Sequence, residues 1–414
     1  MTTPYVVRPS TAVLTRGFEP HLTLGSARPA VFRSATYVFP SPEAAERAFD
    51  VALGRVVPAP DEDVPLIYAR LSHPNAELLE DQIVPLEPGG TAAAVFNSGL
   101  AAISTLFFTL LTPGTSCVYT RPLYGGTQHL IHQLFEPLGV RFHPVPAGDT
   151  IALAQAIELA RDLRLVFSET PANPTLRMTD VGAAVRVART RPDAPVVAVD
   201  NTFLGPTFQH PLSLGADAAV YSATKFLSGF SDLLGGVVLA RERALVTRVM
   251  GVRAILGNIL QPDECWMLNG RLPTVTLRMN RQSKSAQRIA ERLAEHHAVQ
   301  RVHYPSLFEE GEQQRIRDAQ THYPGAVFSL ELRGGKPAAF EFLRRLRIAH
   351  NAVSLGGVET LACHPATTTH SELSESERGE AGVTDALVRV SVGIEDWRDL
   401  LADFTQALDA AASA

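Results

Sequence analysis

One lysine of this chain has surroundings that suit a chemical role. Of the 37 basic residues only Lys225, Lys284 and Lys336 are lysines, and Lys225 alone follows an apolar run and lies among small Ser, Thr and Gly residues. A lysine sheltered from water has a lowered pKa and can act as an amine nucleophile at neutral pH. The alternative is a half-exposed lysine at a strand end, which burial statistics alone favour. Lys284, on a polar helical stretch, and Lys336, in a Gly-Pro turn, are interpreted as solvated.

A carboxylate and a turn of small residues supply two further groups. Asp200 closes the apolar run PVVAVD, where its charge needs a cation or hydrogen-bond donors to offset desolvation. It is either the N-cap of the next segment or the partner of a cationic ring nitrogen. The segment NSGLAAI at 97–103 opens a predicted helix whose free N–H groups suit an anion. An amine, an anion site and a carboxylate match the aldehyde, phosphate and protonated pyridine of pyridoxal phosphate (PLP), which is the expected cofactor.

The elements that must position these groups alternate between short apolar runs and amphipathic stretches. The predicted strands cover 92–96, 116–120, 141–145, 163–167, 195–199, 217–221 and 236–240. Most are continuously apolar, which is typical of a sheet buried on both faces, so the sequence predicts an α/β fold with a mostly parallel, doubly wound sheet. Ligands bind beyond the carboxyl ends of such strands. That edge is predicted to gather Tyr124, Glu169, Asn173, Asp200, Ser222, Thr224 and Lys225.

The pattern along the chain predicts three parts. Residues 1–62 are rich in Pro and Gly and are expected to be irregular and extended, whereas 63–260 form the α/β domain. From 261 to 414 a helix-rich pattern surrounds two predicted strands, at 326–332 and 386–392, and indicates a smaller C-terminal α+β domain.

Composition excludes several classes of protein. Hydrophobic residues make up 45% of the chain and charged residues 19%, which excludes a disordered chain, and the net charge of -6 leaves no broad basic surface for nucleic acid. The apolar run at 100–111 is too short to span a membrane, and the first residues do not have the pattern of an export signal. The three cysteines are far apart, and His364 and His370 lack metal-ligand spacing, so neither disulfides nor a metal are expected. A cytoplasmic location is expected.

Eight ordered motifs carry a resemblance that runs from about residue 25 to the C-terminus. They are IYARLSHPN, FNSGLAA, LYGGT, ETPANPT, VDNTF, YSATKFLSGFSDLLGG, VSLGGVETLACHPATTTH and VRVSVGIED. With them the chain resembles the PLP enzymes of cysteine and methionine metabolism: cystathionine γ-synthase, cystathionine γ-lyase, methionine γ-lyase and the O-acylhomoserine sulfhydrylases. The resemblance implies a PLP-dependent transferase fold of type I, with a mostly parallel seven-stranded sheet.

The resemblance also implies roles for the residues at the predicted edge. Lys225 would hold the cofactor covalently and move protons, Asp200 would keep its ring nitrogen protonated, and Tyr124 would stack on the ring and act as acid or base. The other expected cofactor-binding residues are the amides of Gly99 and Leu100, the hydroxyls of Ser222 and Thr224, and Asn173.

Substrate binding and assembly follow from the same resemblance. Ser354 and Arg389 would bind the α-carboxylate of the substrate, Arg389 by a bidentate pair, although Arg389 in its strand pattern could equally face solvent. Glu359 would meet a distal ammonium group. Tyr68 and Arg70 would reach the cofactor phosphate in a neighbouring subunit. The N-terminal segment would also contact that subunit. The expected assembly is a homotetramer built from dimers that share active sites.

Several positions depart from the usual family pattern. His73 stands where Asn is common, Asn97 and Leu100 where Ser and Met are, and Phe226 and Phe230 where Tyr and His are. His129 replaces an Arg that cystathionine-cleaving members often carry, and Gly126 replaces a Cys that methionine γ-lyases often carry. Neither substrate signature is therefore complete.

The expected activity is γ-elimination, as a carbon–sulfur lyase, or γ-replacement on a methionine-, cystathionine- or O-acylhomoserine-like amino acid. Two alternatives stay open at this point: a biosynthetic γ-replacement enzyme that uses a non-sulfur nucleophile, and a catalytically silent PLP-binding interaction protein. A lysine-dependent aldolase without cofactor conflicts with the predicted phosphate site.

Overall fold

The computed structural model describes residues 7–59 and 62–412 and contains two β-sheets, one of seven strands and one of five. The strands of the larger sheet are β1 (Ala92–Phe96), β2 (Ser116–Arg121), β3 (Arg141–Pro146), β4 (Leu163–Glu169), β5 (Val196–Asp200), β6 (Ala218–Ser222) and β7 (Gly236–Ala240). Their order is β1-β7-β6-β5-β4-β2-β3, and only β7 runs antiparallel to its neighbours. The predicted mostly parallel sheet of seven strands is confirmed.

The smaller sheet is built from the last third of the chain. Its strands are β8 (Val299–His303), β9 (Val327–Leu332), β10 (His350–Asn351), β11 (Leu361–Cys363) and β12 (Leu387–Ser391), in the order β10-β11-β12-β9-β8. The sequence predicted β9 and β12 but not the other three, which are short or lack a continuous apolar run. The predicted domain boundaries at 62 and 260 stay predictions.

Helices cover both sheets. They are α1 (Pro9–Thr15), α2 (Pro42–Ala52), α3 (Pro74–Ile83), α4 (Gly99–Leu110), α5 (Gly125–Leu130), α6 (Thr150–Leu159), α7 (Val181–Thr190), α8 (Arg243–Leu256), α9 (Pro262–Arg271), α10 (Val275–Leu293), α11 (Gly311–Gln320), α12 (Gly335–Arg345), α13 (Glu375–Glu380) and α14 (Trp397–Ala412).

Both faces of the larger sheet are buried, which explains why its strands are continuously apolar. Phe167 packs with residues of α4 and α8 on one face, and its neighbour Val166 packs with α6 and α7 on the other. Near β1, β6 and β7 the second face is covered by α3 and α9 instead. The apolar layers on both sides fix the sheet, so the residues that end its strands are held at defined positions.

The N-terminal part differs from the prediction of an irregular, extended segment. The helices α1 and α2 interrupt it, and α2 begins where Ser41 Oγ accepts a hydrogen bond from the Ala44 amide and Pro42 occupies the first helical position. This capping pattern outweighs the Pro content of the segment. The segment contacts its own chain as well, because the Phe32 amide donates to Asn75 Oδ1. Residues 1–6 and 60–61 of the predicted segment, and 413–414 of the predicted C-terminal domain, lie outside the described residues.

No helix within the described ranges is long and apolar enough to cross a membrane. The predicted cytoplasmic location stays a prediction.

Candidate active site

Strands of the larger sheet end around a cavity of about 260 Å³. β4 ends at Glu169, β5 at Asp200 and β6 at Ser222, while α4 begins at Gly99 shortly after β1. Because these strands run in the same direction, their last residues share one edge. Most of the predicted site residues line the cavity: Gly99, Leu100, Tyr124, Asn173, Asp200, Ser222, Thr224, Lys225, Ser354 and Arg389.

Lys225 lies on the turn after β6, half-buried, with its Nζ 2.8 Å from Ser354 Oγ. Burial, and then the positive charge of Arg389, lower the pKa of Lys225 to about 8. Both effects disfavour the ammonium form. An appreciable fraction of Lys225 is therefore the neutral, nucleophilic amine near neutral pH.

Two arginines of the following helices hold the lysine turn. Arg278 of α10 donates to the carbonyls of Phe226 and Leu227 at 2.7 and 3.2 Å, and Arg271 of α9 donates to Ser228 Oγ at 2.7 Å. Both guanidinium groups also lie over the ring of Phe230, that of Arg271 at 4.9 Å and that of Arg278 at 5.6 Å from its centre. Phe230, one of the departures from the family pattern, therefore serves here as a cation–π platform that fixes the turn.

Asp200 is buried and uses one oxygen for a local contact. Its Oδ1 accepts hydrogen bonds from the Thr202 amide at 3.0 Å and the Thr202 hydroxyl at 2.6 Å, as an N-terminal cap does. Burial raises the pKa of Asp200, since a low-dielectric site disfavours the charged form. A cationic ring nitrogen in the cavity would compensate that charge. The capping and cofactor roles considered for Asp200 are thus compatible.

A cradle for an anion lies where α4 begins. Ser98 Oγ accepts from the Ala101 amide at 3.1 Å, which caps the helix and leaves the amides of Gly99 and Leu100 without an intrahelical partner. A Cβ at position 99 would lie 2.7 Å from the Cβ of Ser222, so only glycine permits this close approach. The start of α4 therefore lies against Ser222, and free amides beside a hydroxyl are donors that suit an anion such as phosphate.

Arg389 of β12 is buried at the side of the cavity and joins the two sheets. Its Nη1 donates to Asn173 Oδ1 at 3.0 Å and its Nη2 to the Ser354 carbonyl at 2.8 Å. Ser354 has a φ of 85°, a left-handed conformation that is unfavourable for a serine. Its carbonyl accepts from Arg389 and its hydroxyl contacts Lys225, and both of these basic residues line the cavity.

Tyr124 immediately precedes α5, at the mouth of the cavity. A Cβ at position 126 would lie 2.5 Å from the Tyr124 ring, so Gly126 allows the ring to fold over the backbone. This contact gives a physical reason for a glycine at a position where methionine γ-lyases often carry Cys.

Three predicted residues lie apart from the cavity. Tyr68 and Arg70 are exposed, and Arg70 donates to the Ala254 carbonyl at 2.5 Å. Glu359, expected to meet a distal ammonium group, accepts a hydrogen bond from the Ser231 hydroxyl instead. Within this chain, these side chains are not assembled with Lys225.

Sequence reasoning assigned no role to two other buried residues of this region. The sequence predicts Glu169 at the sheet edge but indicates no function for it; in the structure it contacts the backbone of both Tyr124 and Asn173. His370 was interpreted as structural; its Nε2 lies 3.2 Å from the Asn173 carbonyl, and burial lowers its pKa to about 4, so it is neutral at physiological pH. The Glu169–Tyr124 and His370–Asn173 contacts join residues 45 and 197 positions apart in the chain, which no local sequence signal reveals.

The residues of the cavity fit PLP. They offer a sheltered amine, a cradle at a helix N-terminus that a Cβ would fill, and a buried carboxylate whose second oxygen, Oδ2, is available to a ring nitrogen. These three groups match the aldehyde, the phosphate and the ring nitrogen of PLP, as the sequence predicts.

The Lys225 pKa leads to a first prediction. We expect the cofactor-free protein to capture PLP faster as the pH rises towards 8 and at a constant rate above it, because only the neutral amine attacks an aldehyde. Well below that pKa, each pH unit lowers the neutral fraction about tenfold. The rate at which the visible absorbance of lysine-bound cofactor appears measures this dependence, and Lys225→Ala is the control. A capture rate that does not change below pH 8 would contradict it.

Known proteins resemble this chain over nearly its whole length. The sequence profile described as Cys/Met metabolism PLP-dependent enzyme matches residues 10–409. The L-methionine gamma-lyase of Pseudomonas deceptionensis is 39% identical over 404 residues, 97% of this chain and 98% of that protein. The cystathionine beta-lyase MetC of Bacillus subtilis is 38% identical over 82% of this chain and 85% of its own. A solved cystathionine gamma synthase of Xanthomonas oryzae pv. oryzae, in complex with cystathionine, has a TM-score of 0.88 at 31% identity and covers 99% of this chain and 100% of its own.

Proposed function

Because the chain belongs to the family of Cys/Met metabolism PLP-dependent enzymes, we propose that it is a carbon–sulfur lyase that acts by γ-elimination on an uncharged thioether amino acid of the methionine type. The broader statement is a finding: the chain is a PLP-dependent enzyme of the transsulfuration type that performs γ-elimination or γ-replacement. The fold and cofactor expected from the motifs are confirmed as well. The relatives include lyases that cleave different substrates, so the choice of substrate depends on the cavity.

Each residue of the cavity has a part in this reaction. When bound, PLP would supply an electron sink for the α-carbon of the substrate. Arg389 and Ser354 bind the α-carboxylate, and Asp200 keeps the ring nitrogen protonated. Lys225 takes the α-proton at its Nζ and moves protons at the neighbouring carbon, while Tyr124 acts as acid or base toward the leaving sulfur. With methionine and water the products are 2-oxobutanoate, ammonia and methanethiol.

The observation that supports an uncharged side chain is the second pocket beside the cavity. This pocket of about 590 Å³ shares Leu100, Tyr124, Val353 and Thr369 with the cavity, and Leu130 and Leu134 extend its apolar lining. Among the described residues that line it, His129 is the only basic one, and its Nδ1 lies 2.7 Å from a carboxylate oxygen of Glu372. A distal carboxylate, as in cystathionine, would have to compete with Glu372 for that partner.

Steady-state assays on a small panel of amino acids test the proposal. We expect 2-oxobutanoate and methanethiol from methionine at a higher kcat/KM than 2-oxo acid from cystathionine, and no dependence on an added thiol. Turnover only with an O-acylhomoserine together with a nucleophile would contradict the lyase and favour γ-replacement. Under the proposal, Glu372→Gln removes the negative charge beside His129, whose Nε2 keeps its contact with Gln133 at 2.9 Å. We expect this change to raise kcat/KM for cystathionine but not for methionine.

We also propose that a second copy of the chain completes the site, in a homotetramer built from dimers. Tyr68 and Arg70 are exposed and lie outside the cavity of their own chain, as a contribution to a neighbour requires. Lys225→Ala and Arg70→Ala proteins are each expected to be nearly inactive, and a mixture that forms hybrid dimers should regain activity, because one of its two sites has both residues intact. A mixture of Lys225→Ala and Asp200→Ala, which damage the same site, should stay inactive. Failure of the first mixture, with hybrids shown to form, would contradict site sharing.

A further inference from the structure

Two carboxylates face the cavity from neighbouring strands. Glu169 ends β4 and Asp200 ends β5, and the two are directly opposite each other in the parallel register. Paired residues of adjacent strands project from the same face of a sheet, and both side chains are buried and line the cavity. The proposed mechanism uses Asp200 and leaves Glu169 without a task.

The Glu169 carboxylate joins two segments that the cofactor contacts under the proposed function. Its Oε2 accepts a hydrogen bond from the Tyr124 amide at 2.8 Å, and its Oε1 accepts one from the Asn173 amide at 3.0 Å. Tyr124 is the residue before α5, and Asn173 lies in the turn after β4. A single side chain thus sets the distance between the backbone of the ring-stacking residue and that of the residue expected near the ring hydroxyl.

The hydrogen bonds require acceptors at both oxygens. A carboxylate has two acceptor oxygens, whereas the glutamine side chain presents one oxygen and one NH₂ group, which would face an amide donor.

The charge of Glu169 depends on the groups around it. Burial and the neighbouring Asp200 raise the pKa of Glu169 to about 8, while Arg389 of β12 and the two amides oppose that effect. Lys225, on the turn after β6, is the other cation of the cavity, and His370 is neutral.

We propose that Glu169 is a positioning residue for the cofactor, which in its ionised form holds the backbone of Tyr124 and Asn173 on the two sides of the ring. A bound ring with a protonated nitrogen compensates Asp200, so that the second buried carboxylate of the pair can stay ionised. The inference rests on the proposed contacts of Tyr124 and Asn173 with PLP. It does not depend on which thioether is cleaved.

Two replacements separate geometry from charge. In Glu169→Gln we expect the dissociation constant of PLP for the cofactor-free protein to rise about tenfold or more, because hydrogen bonds to a charged group are lost. We also expect the visible absorbance of the lysine-bound cofactor to titrate at lower pH, because a negative charge near a protonated nitrogen is removed. In Glu169→Asp the charge is kept but the side chain is shorter, so the affinity should fall while the titration midpoint stays close to that of the original protein.

A matched control is Glu87→Gln. Glu87 is a buried carboxylate that accepts from the Leu212 amide at 3.0 Å and from the Tyr221 hydroxyl, and it does not line the cavity. Its replacement should lower the thermal stability and leave the PLP affinity and the titration midpoint unchanged. Unchanged affinity and midpoint in Glu169→Gln, or equal changes in Glu87→Gln, would overturn the inference. Because the readouts are binding and absorbance, the inference can fail while methionine cleavage is observed, and the proposed substrate can fail while Glu169 behaves as described.

Discussion

Replacement of Lys225 by alanine is expected to abolish both the visible absorbance of the lysine-bound cofactor and turnover. Among the described residues that line the cavity, Lys225 alone has an amine that can link to the cofactor aldehyde, and its pKa of about 8 suits it to move protons afterwards. Loss of a positioned general base alone costs roughly 10²- to 10⁴-fold in rate, and the covalent link is lost in addition. Absorbance spectra of the purified variant and assays with methionine measure both effects.

The control for this variant is another lysine of the same chain. Lys284 is exposed on α10, away from the cavity, so Lys284→Ala should keep both the absorbance and the activity. Borohydride reduction of the original protein, followed by peptide mapping, should label position 225. Turnover that survives in Lys225→Ala, or a label elsewhere in the chain, would refute the role of this lysine.

The second large effect is expected at Arg389, where replacement by alanine should raise KM and lower kcat/KM by roughly 30- to 5,000-fold. The estimate follows from the 2–5 kcal/mol that is lost when one partner of a buried, hydrogen-bonded charge pair is removed. Arg389→Lys keeps the charge but not the planar pair of donors, and we expect it to recover only part of the loss. Initial rates over a range of methionine concentrations separate KM from kcat.

The control for Arg389→Ala is the replacement of Arg253, a buried arginine with no proposed role in the reaction. It lies on α8, pairs with Glu80 at 2.6 Å and is outside the cavity lining. Arg253→Ala should therefore unfold at a lower temperature, since an unpaired carboxylate is left in the core, while KM stays unchanged. An Arg389→Ala enzyme with an unaltered KM would remove this residue from substrate binding.

The parts of the site that could be predicted from the sequence are those that depend on local pattern. Apolar runs identify the buried strands, and a shared direction brings their final residues to one edge, which is why Lys225 and Asp200 could be placed together. The N-terminal helices were missed because their capping signals lie in a Pro-rich context. The task of Glu169 was missed because one of its two partners is the amide of Tyr124, 45 residues away in the chain.

Departures from the family pattern also gain a physical meaning from the structure. His73, where Asn is common, immediately precedes α3, and its Nδ1 accepts from the Ala76 amide at 3.2 Å, so it takes the place of Asn as the helix cap. Its Nε2 lies 2.9 Å from the Leu260 carbonyl, a contact that the shorter Asn could not reach. Histidine at this position therefore still caps the helix.

The left-handed backbone of Ser354 has a further consequence. A non-glycine residue in a sparsely populated conformation costs of order 1–3 kcal/mol, and here Lys225 and Arg389 hold it in place. Under the proposed function the α-carboxylate of the substrate binds Arg389, so we expect substrate binding to weaken the hydrogen bond that Arg389 donates to the Ser354 carbonyl. We therefore expect a residue that adopts this conformation without strain to give a more stable protein and a less active enzyme.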